Sequence, residues 1–206
     1  MKNILYIGSE SKSRHKILKD AKVPFKVLKH SSDENIIHTK ENFEDYVCEI
    51  AKEKMHNLII PTNISTSKSI FVLTADTMVQ TKDSKQTLGK PKDLEDGKRM
   101  LRVLRNEKAI ISTGVCIDKK EFGGGLWHLQ ERKLFAISAE VEFFVPENLL
   151  DSYFKYLPHA MNGCGAGIIE EYGQIFLKTI CGSYSAVLGL PIYEVRNYLE
   201  TMRFFN

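Results

Sequence analysis

Short apolar strands alternating with amphipathic helices predict an α/β protein. Three observations carry that expectation. Apolar β-type runs recur at residues 4–7, 23–28, 71–73, 109–117, 134–145 and 175–180. Between them, helical spacing links Ile17, Leu18 and Ala21, then Phe43 through Leu58, Leu94 through Leu104, Leu149 through Leu157, and Val195 through Met202. Cap and turn residues such as Ser9, Ser11, Asp93 and Pro158 stand at the junctions. With 206 residues, 43% of them hydrophobic, the chain can bury a core as one domain, 1–206, or as two lobes sharing one sheet.

The charge balance narrows the partners. Twenty-nine basic residues against 26 acidic ones leave a net +3, too balanced for nucleic-acid binding by bulk electrostatics and better matched to an anionic small molecule. Cys48, Cys116, Cys164 and Cys181 are scattered without a C-x-x-C pair, which points away from zinc and from a disulfide framework. No apolar run approaches the ~20 residues of a membrane helix, and the opening MKNILYIGS turns polar too soon for a signal peptide. A cytoplasmic protein with reduced thiols and no membrane partner is the expectation.

Taken in order, the apolar run Ile4–Ile7 ends at Gly8-Ser9, where a helix capped by Ser9 or Ser11 should begin. Its free N–H groups, the hydroxyls, and Lys12, Arg14 and Lys16 would make an anion-binding corner, or else a capped surface helix with a solvated basic face. The second strand, residues 23–28, leads into a polar loop containing Asp33-Glu34. In the helix that follows, Lys54 falls on the inner side, four after Ile50 and four before Leu58. There it either snorkels or offers its ammonium to a ligand or an acid. The run Phe71-Val72-Leu73 delivers Asp76, whose burial demands a cation, donors or a proton, so it belongs to a site or is tied into the scaffold.

After a turn at Thr81–Lys85, Thr87-Leu88 should lead back as a hairpin and bring Lys90 near Asp76. Asp93 can cap a helix whose Leu94, Gly97, Met100, Leu101 and Leu104 share one face. Gly123-Gly124-Gly125 reads as a hairpin tip, because no Gly-Lys-Ser/Thr follows to make a phosphate loop. The small residues from Asn162 to Glu170 would let backbone approach a ligand closely, and Pro191 suits the first turn of the closing helix.

Ala75-Asp76-Thr77 followed by Gly89-Lys90-Pro91, together with Gly182-Ser183-Tyr184 and Gly189-Leu190-Pro191, resembles the Maf family, septum-formation-inhibitor-like nucleoside triphosphate pyrophosphatases. The resemblance runs collinearly from Ser9 to Pro191. GSESKSRHKIL is similar to the family's Ser-x-Ser-Pro-Arg-Arg-x-Glu-Leu-Leu, with Lys12, Ser13 and Lys16 departing from it; the extra lysines could replace some of the lost charge. Thr113-Gly114-Val115 and Ile50-Ala51-Lys52-Glu53-Lys54 also match. In the family's Asp-Lys-Ala-Gly-Ala-Tyr-Gly-Ile-Gln-Gly loop, Gly165 and Ala166 match while Asn162 and Gly163 replace the Asp and Lys.

The resemblance implies a two-lobed, ITPase-like α/β fold: a mixed, twisted sheet flanked by helices, with a central cleft. It also implies frequent homodimers and Mg²⁺- or Mn²⁺-dependent hydrolysis of a nucleoside triphosphate to monophosphate and pyrophosphate. It makes Ser9, Ser11 and Arg14 substrate-binding, Asp76, Lys90 and Lys54 catalytic, and Glu34 with Asp76 the metal-holding acids. Glu170 aligns with a Gln in the branch preferring thymidine and uridine triphosphates and with a Glu in the branch preferring 7-methylguanosine triphosphate. A carboxylate only accepts, so it matches the adjacent N–H donors of guanine. Glu170 thus implies a guanine or methylguanine substrate, whereas Ala75-Asp76-Thr77 looks like the pyrimidine branch. A competing class is a nucleotide-binding regulatory protein whose site has decayed, favoured by Ser13, Lys16, Asn162 and Gly163.

Overall fold

The computed structural model describes residues 3–29, 42–64 and 67–205. Its elements in chain order are β1 (Leu5–Ile7), α1 (Lys12–Asp20), β2 (Phe25–Val27), α2 (Phe43–His56), β3 (Ser69–Thr81), β4 (Thr87–Leu88), α3 (Leu94–Asn106), β5 (Ala109–Gly123), β6 (Leu126–Phe143), α4 (Leu150–Tyr156), β7 (Leu177–Gly182), α5 (Tyr184–Val187) and α6 (Ile192–Thr201). The strands form one seven-stranded sheet in the order β2-β1-β3-β5-β6-β7, with β4 paired to β3. It is mixed. β1 runs parallel to both neighbours, Leu5 opposite Phe25 and Phe71, and α1 and α2 lie in the crossovers that parallel pairing requires. β4 and β7 pair antiparallel with β3 and β6. This is the expected α/β class, a mixed sheet with helices.

The chain divides into two compact units, residues 1–76, 113–137 and 188–206 forming the first and residues 77–112 and 138–187 the second. In the first unit the strands bury both faces. Leu5, Ile7, Phe71, Leu73, Val115 and Ile117 pack with Leu18, Val195, Leu199 and Met202, while Tyr6, Val72 and Cys116 pack with Ala51 and Met55. The alternation follows from the two-residue period of the strand. α2 lies so close to β5 that a Cβ on Gly114 would stand 2.3 Å from the Val47 carbonyl oxygen, so only glycine admits the helix there.

A buried carboxylate braces the same unit. Asp118 has no exposed surface and receives Arg132 Nε at 2.7 Å, Arg132 Nη2 at 2.8 Å and Lys120 Nζ at 3.0 Å. Burial works to raise its pKa, but the bonds from Arg132 and Lys120 outweigh it and the net shift is downward. Its neighbour Cys116 is pushed up to about 12, mainly by burial and then by the Asp118 charge, so that thiol stays protonated.

The second unit packs Met100, Leu101 and Leu104 of α3 and Tyr153, Phe154 and Leu157 of α4 into its interior. Phe143 and Phe176 meet edge to face at 6.4 Å, and Phe143 meets Tyr153 the same way at 6.2 Å. Asp93 caps α3 as expected, accepting from Asp96 N at 2.8 Å.

Four local expectations are corrected. Leu94, placed by its spacing on the inner face, is 45% exposed, because it is the first helical residue, beside the cap. β6 starts at Leu126 rather than Leu134: beyond the hairpin tip at Gly124-Gly125 the strand runs on over mostly exposed residues, with Trp127 packed against the core. β7 starts at Leu177 rather than Ile175, since Ile175 and Phe176 close a 3-10 turn, Glu171–Phe176. Pro191 occupies the cap position of α6 rather than its first turn.

Candidate active site

The first unit holds a corner built from backbone turns and a guanidinium. Gly8 N–H donates to Leu73 O at 2.8 Å, carrying the chain past β1 alongside β3. Ser11 caps α1 and its hydroxyl accepts from Arg14 N at 3.4 Å. Ser9 Oγ accepts from Arg14 Nη1 at 2.9 Å and from Ser11 N at 3.3 Å, and Arg14 Nε donates to Gly189 O at 2.7 Å. Ser9 and Arg14 are both buried. His15, which sequence reasoning did not single out, bonds the Ser9 carbonyl through Nε2 at 2.7 Å and lies against Phe25. A helix start, two hydroxyls and a buried guanidinium thus stand together, the groups from which an anion-binding corner is commonly built. Lys16 pairs with Asp20 at 2.7 Å, both side chains exposed, and that bond heads the causes lowering the Asp20 pKa.

In the same unit, Lys54 Nζ donates to Asp76 Oδ1 at 2.7 Å, with side chains 13% and 14% exposed. Of the two roles open to an inward lysine, the structure selects contact with an acid. The register that allows it is fixed one step back: the fully buried Thr74 donates from Oγ1 to Ala51 O at 2.6 Å. Thr74 shares its strand face with Asp76, and Ala51 lies one turn before Lys54. Thr74 was missed from the sequence; its alternation with Asp76 was the available signal.

The second unit carries Lys90 and Glu170. β4 is only two residues long and pairs Val79 with Leu88 and Gln80 with Thr87, so the chain beyond Leu88 heads back in the direction of Thr77. Gly89 O accepts from Gly165 N at 2.8 Å, and Cys164 Sγ donates to Thr77 O at 3.0 Å. Glu170 is half-buried and precedes the 3-10 turn, its carbonyl accepting from Gly173 N at 2.9 Å. Glu34 lies outside the described residues. Among the described residues no group of three or more His, Cys, Asp or Glu is placed to hold a metal ion. An Asp76 carboxylate fits a hard cation nonetheless, because Mg²⁺ is commonly held by one or two carboxylates completed by substrate phosphates and water.

The profile of the Maf family, described as Maf-like protein, matches residues 4–202. The chain belongs to the Maf family. A dTTP/UTP pyrophosphatase of Acholeplasma laidlawii is 30% identical over 98% of this chain and 97% of its own length. One of Hydrogenovibrio crunogenus is 30% identical over the whole of both chains, and one of Fusobacterium nucleatum is 31% identical over 97% of this chain and 94% of its own. The seven-stranded mixed sheet flanked by helices agrees with the Maf fold. Enzymes of this family generally use a divalent metal. Among the described residues of this Maf chain, no helix is long and apolar enough to cross a membrane.

Proposed function

We propose that this nucleoside triphosphate pyrophosphatase acts on pyrimidine substrates, dTTP and UTP, with Mg²⁺ or Mn²⁺, in the cytoplasm and as a homodimer. The chain is a hydrolase of acid anhydrides. The observation that carries the mechanistic reading is the Lys54–Asp76 contact, an acid held in one orientation by an inward cation. Phosphate oxygens are received by the Ser9 hydroxyl, the α1 start capped by Ser11, and Arg14. Asp76 orients the attacking water and takes its proton. The water oxygen bonds to the α-phosphorus as the bond to the bridging oxygen breaks, and that oxygen leaves with pyrophosphate. Lys54 and Lys90 neutralise the charge gathering on the leaving group. Asp76 and Glu34 are the residues to hold the divalent ion, which when bound supplies further charge neutralisation at the phosphates.

The base rests on the names of the relatives and on Ala75-Asp76-Thr77. Glu170 favours a second reading, guanine or 7-methylguanine triphosphate, because a carboxylate accepts from two adjacent N–H donors. Pyrophosphate release from dTTP, UTP, GTP and 7-methyl-GTP, by wild type and Glu170→Gln, tests both. Pyrimidine preference that sharpens in the variant supports the first. Guanine preference that drops ~10-fold in the variant, the size of one unmatched hydrogen-bonding group, supports the second. No release from any triphosphate with either metal would return the reading of a decayed regulatory site.

A further inference from the structure

Lys90 sits just beyond a two-residue strand, so the ladder alone does not hold it. The neighbouring carbonyl, Gly89 O, is gripped instead by Gly165 N. That donor comes from a segment of short 3-10 turns, Pro158–Asn162 and Cys164–Ala166, in which Gly163 N bonds Ala160 O at 3.1 Å and Ala166 N bonds Gly163 O at 3.2 Å. Gly165 has φ +66 and Ala166 φ +55, two successive left-handed residues, and only the first is a glycine. A hydroxyl from outside the segment adds to these bonds. Tyr153 Oη donates to Ala166 O at 2.7 Å and accepts from Ile168 N at 2.7 Å, so one fully buried side chain clamps the main chain on either side of Gly167, directly after Gly165. Burial raises the Tyr153 pKa against the smaller lowering effect of the Ile168 N–H, so the phenol keeps the proton it donates. A further bond from the same segment, Cys164 Sγ to Thr77 O, reaches the residue that follows Asp76 in the chain.

We infer that Tyr153 is a positioning residue for the reaction: by clamping the loop around Ala166 it sets the Gly165–Gly89 bond and, through it, the place of Lys90. The inference rests on the role given to Lys90 above. Tyr153 touches no substrate in this scheme. It is hidden in the sequence among the apolar positions of α4, where an aromatic ring accounts for its burial and nothing marks its hydroxyl.

The test is a double-mutant cycle on pyrophosphate release. Tyr153→Phe keeps the ring and removes the clamp; kcat should fall ~10-fold with KM changed little, because the loss is felt as charge develops on the leaving group. In a Lys90→Ala background the same substitution should cost less than ~2-fold, because the group it positions is gone. An undiminished tenfold loss in that background would overturn the inference while leaving Lys90 in its role, as would an unchanged kcat in Tyr153→Phe alone. If Lys90→Ala itself turns over normally, the role of Lys90 and the inference fall together. Where Tyr153→Phe does not fold, as judged by circular dichroism, Gly165→Ala enters the cycle in its place, since it strains the same N–H from within the loop, and the same non-additivity is required.

Discussion

Around α1 and β3 the candidate site's side chains hold one another: Arg14 grips Ser9, and Lys54 grips Asp76. From Gly163 to Ile168 the main chain is held instead, by the Gly89 carbonyl and the Tyr153 hydroxyl, with the Cys164 thiol donating to Thr77 O. The difference bears on which residues are free to change. In the first region replacing one member takes a charge-assisted bond from its partner, which weakens the compensation of a charge held largely out of water. In the second, the bonds to Gly89, Thr77 and Tyr153 run through main-chain groups, the Cys164 thiol and the Tyr153 hydroxyl rather than through charged side chains, and it is there that Asn162 and Gly163 replace the family's Asp and Lys.

Breaking the first region should therefore cost most. Asp76→Asn keeps the shape but removes the charge, and pyrophosphate release should drop more than ~10³-fold while the circular dichroism spectrum stays that of wild type. Near-normal activity would remove Asp76 from the chemistry. Asp118 is the contrasting acid of the same unit, buried between cations with no substrate role assigned. Asp118→Asn should cost about 3 kcal/mol in denaturant unfolding with kcat little changed. Because its folded pKa is lowered, the stability it confers is present above the ordinary carboxylate range and lost as pH falls through the lowered value. The variant should accordingly show a flatter acid limb in unfolding free energy against pH.

Two smaller effects sharpen the comparison. Lys90→Ala should lower kcat ~10²-fold, with Lys92→Ala near wild type as the control for general positive charge. Equal losses at the two positions would deny Lys90 a placed role. Arg14→Lys keeps the charge but cannot reach Ser9 and Gly189 together, so KM should rise ~10-fold with kcat less affected. A variant with unaltered KM would show that the corner needs charge alone.

Local periodicity was enough to read the α/β class, a cap at Ser9 or Ser11 and one at Asp93, the Gly124-Gly125 tip, and Asp76 as an inward acid in need of a partner. Those features depend on residues within a few positions of one another, which is where strand and helix periods leave their mark. Strand ends were misjudged at Leu126 and Leu177, where pairing or a turn decides without a change in hydrophobic pattern. The partners of the charged and hydroxyl groups were settled only by folding. Arg14 finds a carbonyl 175 residues away, Lys54 an acid 22 residues on, and Lys16 turns outward to Asp20. Tyr153, Thr74 and His15 act through a single polar atom each. A hydrogen bond between distant segments imposes no spacing on either one, so it has no signature in the chain until the sheet brings the two ends together.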